Sequence, residues 1–295
     1  MNPITLTGSI SLRQQLIDYK NFIKLRLTFL VVFSAGFGYM YGMKDKFIQW
    51  NQFLTFLVGG FLITAASNGI NQIIESDLDK LMLRTSDRGL PSGRMSFVRA
   101  YILVFLMAIA GILLLWDFGI LTCVLSITAL LFYAFIYTPV KKISSFATLL
   151  GAFPGAVPPL LGMIAATGSF SRDAFILFLI QFIWQFPHFW SIAWVFDEDY
   201  NKAGFKVLPA GSGKSKANAL QICIYTFLLL PISFIPLYYG MCDTTTTMLI
   251  FFAGIIFFIQ SLILFKKLSP KAGYRLMFGS FFYLPLIQIF LYVGR

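Results

Sequence analysis

Asn71, Glu75 and Asp79 stand four residues apart, and Arg84 and Arg88 follow at the same spacing. On a helix, residues four apart fall on nearly one face, so the first three make a column of oxygen-bearing side chains. The column begins inside an apolar run, FLTFLVGGFLITAASNGINQII, and leads into a charged stretch that ends at Arg94. Ionisable groups this close to hydrocarbon are costly and usually mark a site. Oxygen ligands suit Mg2+, which commonly binds through one or two carboxylates together with substrate phosphates, and arginine forks suit phosphate oxygens. The chemistry this pattern supports is a magnesium-diphosphate site.

A second acidic cluster, Asp197, Glu198 and Asp199, is followed by Tyr200, Lys202 and Lys206. Alone it reads as a solvated loop. Opposite the first cluster it reads as the second half of one site, because carboxylates on both sides of a diphosphate can hold its metal. Farther on, GSGKS (211–215) imitates a nucleotide-binding loop. The full pattern needs glycine at position 208, which is Leu208, and a strand before the loop, where the sequence predicts a membrane helix.

The elements that must carry these residues are set by composition. Of 295 residues 58% are hydrophobic and 12% charged, and the mean hydropathy is +0.79. A soluble fold would leave far too much of that surface uncovered. By the rule of about 20 apolar residues per span, the chain predicts an all-α membrane bundle of roughly nine helices. Their centres fall near Phe33, Leu62, Met107, Ile127, Gly155, Ile180, Leu229, Ile255 and Leu284.

With the N-terminus cytoplasmic and the helices alternating, 19 of the 23 basic residues fall on the cytoplasmic side. Only Lys44, Lys46, Arg172 and Arg295 fall on the other, a strong positive-inside bias. Topology thus accounts for the net charge of +11, and nucleic acid is not needed to explain it. The first twenty residues are polar, so the first helix is expected to serve as the insertion signal. Cys123, Cys223 and Cys242 lack metal-like spacing, and the first two read as small core residues.

No linker divides the chain, so residues 1–295 read as one transmembrane domain with a polar stretch over 1–20. Two long charged connections, 75–96 and 197–216, lie four helices apart on the expected cytoplasmic side. Long charged loops of a compact domain tend to be functional. Their equal spacing hints at an ancestral four-helix repeat. Pro158 and Pro159 are expected to break a helix beside a cavity.

Several motifs together resemble the UbiA-type intramembrane prenyltransferases. Asn71-x-x-x-Glu75-x-x-x-Asp79, with Arg84-Thr85, Arg88 and Gly93-Arg94, is similar to that family's first aspartate-rich motif. Tyr137-Thr138-Pro139 with Lys141, then Gly151-Ala152 and the Gly155 to Gly162 stretch, resembles its middle signature. Trp184-Gln185-x-Pro187-His188-Phe189-Trp190, then Asp199-Tyr200, Ala203-Gly204 and Leu208-Pro209, resembles the third and is closest to the family's heme-modifying branch. The match covers most of the chain. Leu25, Gly89 and Ala147 depart from the usual proline, proline and asparagine, and the last weakens any ligand role for the middle loop at that position.

The resemblance implies farnesyl diphosphate as donor and heme B as acceptor. Addition of water then yields the product, a hydroxyethylfarnesyl heme destined for terminal oxidases. It implies Mg2+ held by Glu75, Asp79 and Asp199, with Asn71 orienting a ligand or binding diphosphate. Lys24, Arg26, Arg84, Arg88, Lys141 and Lys202 would bind the diphosphate. It further implies a prokaryotic plasma membrane, cytoplasmic catalytic loops, and a downstream heme-modifying enzyme or oxidase assembly factors as partners.

His188 is the lone histidine, nine residues and about 13–14 Å along a helix from Asp197. It reads either as a satisfied core residue or as a heme-iron ligand. The 34 Phe and 13 Tyr could shield a carbocation or simply pack. Two other readings stand beside this one. A family member acting on an aromatic quinone precursor would not need the His188 segment. An ion-coupled transporter would hold its charges at mid-membrane rather than at helix ends.

Overall fold

The structure, a computed structural model, describes residues 11–43, 47–211 and 213–295. Lys44, Lys46, Ser212 and the first half of the polar amino-terminal stretch lie outside them. The order is α1 (Leu12–Phe22), α2 (Leu25–Gly42), α3 (Trp50–Asp79), α4 (Phe97–Leu115), α5 (Ile120–Leu131), α6 (Thr138–Val140) and α7 (Ala147–Thr167). Then follow α8 (Arg172–Val195), α9 (Asp197–Lys202), α10 (Lys216–Ile232), α11 (Ile235–Tyr238), α12 (Thr244–Lys267) and α13 (Pro270–Val293). Among the described residues nine spans are long and apolar enough to cross a membrane, and each expected centre falls inside one of them.

A chain this apolar must satisfy its backbone internally, which in lipid means helices. Their starts are written in the sequence. Ser96, Ser171, Ser215, Asp243 and Ser269 each accept a backbone N–H from three residues on, as N-caps do. The 30 residues of α3 extend about 45 Å, well beyond the roughly 30 Å of hydrocarbon. The surplus, about ten residues at 1.5 Å each, carries at least one end of the helix beyond that layer while it is still helical.

Pro158 and Pro159 do not break a helix. α7 runs without interruption through Pro154, Pro158 and Pro159. Pro159 has no N–H for the carbonyl of Gly155, four residues earlier. That carbonyl instead accepts the side-chain amides of Gln181 at 2.7 Å and Gln185 at 2.9 Å, both from α8. With the freed acceptor satisfied from a neighbouring helix, the prolines stay inside the span.

α2 and α7 cross on glycine. A Cβ on Gly162 would fall well inside contact distance of the Ala35 carbonyl oxygen, and one on Gly38 would meet the Pro159 carbonyl oxygen. Backbone cannot yield as a side chain can, and close approach through small residues is how membrane helices pack. Gly162→Ala is therefore expected to lower stability by about 1–3 kcal/mol. Gly60→Ala, whose Cβ meets open space, should leave it unchanged. Thermal unfolding in detergent reads the difference, and equal midpoints for the two variants would sink the packing argument.

Candidate active site

The column on α3 is real and it faces inward. Asn71, Glu75 and Asp79 are 2%, 3% and 2% exposed, whereas the Asp77 side chain between them is 90% exposed. Each inward residue meets a cation from a different segment. Lys24 Nζ donates to Asn71 Oδ1 at 2.6 Å, Lys141 Nζ to Glu75 Oε2 at 2.6 Å, and Arg88 Nη1 to Asp79 Oδ2 at 2.8 Å. The result is a ladder of three rungs down one helix face. Carboxylates this deeply buried require such partners.

Each cation is placed by its own local structure. Gln72 on α3 donates to the carbonyls of Asn21 and Phe22, holding the end of α1 against α3. The chain then turns at Lys24, whose left-handed φ of 46° aims α2 away and leaves the ammonium at Asn71. The loop bearing Arg88 is tied down by Arg94, which grips the buried Asp18 of α1 with Nε at 2.9 Å and Nη2 at 2.8 Å. That grip holds the Asp18 carboxyl below its ordinary range.

Lys141 follows a π-helical turn, Phe132–Tyr137, that joins α5 to α6. Thr138 donates to the carbonyl of Tyr133 and accepts from Asn71 Nδ2 at 3.1 Å, which fixes the Asn71 amide with its oxygen toward Lys24. π turns recur at functional sites. Here the turn sets the tilted rings of Tyr133 and Tyr137 5.2 Å apart on the chamber wall.

Other expected residues are placed differently. Arg84 is exposed and lies over the rings of Phe196 and Tyr200, with its backbone N–H 3.4 Å from Asp199 Oδ2. Arg26 and Lys202 are also exposed, and no contact ties them to the ladder. Asp199 does not join Glu75 and Asp79 in a ready cage. Among the described residues no three acidic, histidine or cysteine side chains are grouped to hold one ion. The physical reason is visible: the two buried carboxylates are already neutralised by Lys141 and Arg88.

The donor set still fits Mg2+. Glu75 and Asp79 supply hard oxygens one turn apart. Glu75 Oε1 touches the Lys141 ammonium at 2.5 Å yet accepts no hydrogen bond of good geometry. One or two carboxylates plus phosphates are what Mg2+ commonly takes.

Below the ladder lies a chamber of about 240 Å³, bordered by Tyr133, Tyr137, Gln185, His188, Phe189 and Phe281 among others. His188 is 6% exposed and stacks on Trp184 at 4.3 Å. Its Nδ1 lies 2.9 Å from Ser280 Oγ, and that hydroxyl spends its proton on the Met277 carbonyl at 2.6 Å. Nδ1 must then be the donor, so this network assigns the tautomer with the lone pair on Nε2. Sequence reasoning missed Tyr133, Gln181 and Gln288, and it quoted Thr138 and Gln185 only as motif positions without a role. Glutamines inside apolar spans are a readable signal, because polar groups there rarely lack a role.

Burial pushes the Lys24 ammonium down to about 7, Arg88 adds repulsion, and Glu75 opposes both. Above that pH the amine is largely neutral in the ligand-free protein, whereas a bound diphosphate favours the charged form. Diphosphate binding is thus expected to take up about one proton per site near pH 8 and to weaken as pH rises from 7 to 9. Calorimetry in buffers of different ionisation enthalpy measures the uptake, and Lys24→Met should abolish it. Uptake that persists in that variant would assign the proton elsewhere.

The UbiA prenyltransferase family model matches residues 30–285. The protoheme IX farnesyltransferase of Cytophaga hutchinsonii is 48% identical over 272 residues, covering 92% of this chain and 95% of that protein. The protoheme IX farnesyltransferase of Flavobacterium johnsoniae is 39% identical over 98% of this chain and 97% of its own length. Among solved structures, digeranylgeranylglyceryl phosphate synthase superposes with a TM-score of 0.77 at 19% identity, covering 95% and 98% of the two chains. A UbiA homologue from Archaeoglobus fulgidus bound to GPP and Mg2+ superposes at 0.66 with 14% identity, covering 94% and 99%. With the family model spanning most of its length, and with relatives this similar end to end, the chain belongs to the UbiA prenyltransferase family.

Proposed function

We propose that this protein transfers the farnesyl group of farnesyl diphosphate to a vinyl group of heme B, with addition of water, giving heme O. The observation that carries the reading is His188, its Nε2 lone pair free on the wall of a chamber that lies directly under a cation–carboxylate ladder. Proteins named protoheme IX farnesyltransferase that are 39–48% similar in identity over nearly the whole chain support the same choice of acceptor.

The residues divide the work by depth. Lys24, Lys141 and Arg88 bind the diphosphate oxygens, leaving Glu75 and Asp79 to hold Mg2+. Mg2+, when bound, supplies Lewis-acid stabilisation of the departing diphosphate. Positive charge preorganised where negative charge grows is the main source of such rate enhancement. As the allylic C–O bond breaks, Tyr133 and Tyr137 present π faces to the developing cation and keep bulk water from it. His188 holds the heme by its iron, so that the vinyl carbon meets the allylic carbon. Water then adds to the vinyl-derived cation and loses its proton. The site opens to the cytoplasmic face of a prokaryotic plasma membrane, where the Arg84 N–H and Asp199 Oδ2 lie 3.4 Å apart just beyond the end of α3.

Membranes containing the protein, incubated with heme B, farnesyl diphosphate and Mg2+, should yield a heme heavier by one farnesyl group and one water. A prenylated quinone precursor formed in place of that product would reassign the acceptor.

A further inference from the structure

The chamber has a floor, and the floor is polar. Its lining ends on α2 at Ser34 and Ala35, on α8 at Gln181, and on α13 at Gln288. These deepest side chains are bonded to one another. Ser34 Oγ donates to Gln181 Oε1 at 2.7 Å, while Gln288 Nε2 donates to Ser34 Oγ at 2.7 Å and to Gln181 Oε1 at 3.1 Å. The Gln181 amide donates in turn to the Gly155 carbonyl freed by Pro159. Four helices thus meet in one buried network whose donors and acceptors admit a single arrangement. Turning the Gln288 amide over would set two carbonyl oxygens against each other.

The depth of this floor is the informative quantity. Ser34 lies ten residues down α2 from Lys24, the lowest rung of the ladder, and ten residues of helix span about 15 Å. Each isoprene unit adds four carbon–carbon bonds of about 1.5 Å, which project to roughly 5 Å along an extended chain. Three units fill the drop. We propose that the Ser34–Gln181–Gln288 network sets the length of prenyl chain the site accepts, at three isoprene units below the diphosphate. The proposal rests on the reading above that the donor is an isoprenyl diphosphate. A fourth unit has to break the network, or leave sideways past Phe33 into the apolar groove bordered by Phe29, Phe61 and Tyr292.

The test offers geranyl, farnesyl and geranylgeranyl diphosphates, with heme B and Mg2+, to the purified protein in detergent and measures kcat/KM for each. The wild type should favour farnesyl. Gln288→Ala lowers the floor and should raise the geranylgeranyl-to-farnesyl ratio by roughly tenfold. Ser34→Leu raises the floor and should move preference the other way, toward geranyl, so loss of folding in one variant still leaves the other to decide. Equal use of geranylgeranyl and farnesyl by the wild type overturns the ruler but leaves the donor class standing. So does a fall of all three rates in proportion in both variants, which would make the network merely structural. Transfer from none of the three donors, together with no binding of an unreactive farnesyl diphosphate analogue, overturns the isoprenyl reading itself, and the ruler with it.

Discussion

Asp79→Asn is expected to leave a folded membrane protein whose turnover is lower by roughly 10²–10³-fold. The carboxylate is buried, and its one strong partner is Arg88 at 2.8 Å. Asparagine keeps the shape, removes the charge a metal needs, and releases Arg88. A free guanidinium is a better phosphate ligand than a paired one. Binding of an unreactive farnesyl diphosphate analogue without Mg2+ should therefore hold or tighten while Mg2+-dependent turnover collapses. Asp77→Asn is the control, since its side chain points to solvent and pairs only with Lys80. If Asp79→Asn loses analogue binding and turnover together, Asp79 is a structural partner of Arg88 and not a metal ligand.

His188→Ala is expected to weaken heme B binding by roughly tenfold or more and to shift the absorption bands of bound heme, because alanine offers iron no ligand. Binding of the diphosphate analogue should stay near normal, as His188 makes no contact with the ladder. Ser280→Ala tests the tautomer. Without the Ser280 hydroxyl, Nδ1 loses its acceptor, the lone pair is no longer held on Nε2, and heme affinity should fall by less than in His188→Ala. Identical heme spectra for wild type and His188→Ala would return His188 to a packing role on Trp184.

The nine spans and the inward face of α3 were legible because both depend on local pattern: runs of apolar residues, and three polar residues at a spacing of four. Other features depend on partners distant in sequence. Nothing near Glu75 announces that Lys141 neutralises it, so the acids read as a cage that the structure does not preform. Pro158 and Pro159 read as a break because their local effect is to remove a donor. The replacement donors, Gln181 and Gln185, come from the next helix. The π turn at Phe132–Tyr137 leaves no mark on hydropathy, since its residues are as apolar as those of an ordinary span. The glutamine floor was visible residue by residue, but its depth emerges only when α2, α8 and α13 are set side by side.

The ladder also orders the birth of the protein. Asp79 meets Arg88 only nine residues later, but Glu75 waits for Lys141, 66 residues downstream, and Asn71 waits for Thr138, 67 downstream. A carboxylate next to lipid without its counter-charge is a reason for a nascent helix to stay near the surface or the insertion machinery. The end of α3 therefore cannot settle until the end of α5 and the Lys141 turn have been synthesised and have swung beside it. Ribosome stalling short of residue 141 should trap a nascent chain whose Glu75 remains open to water-soluble reagents.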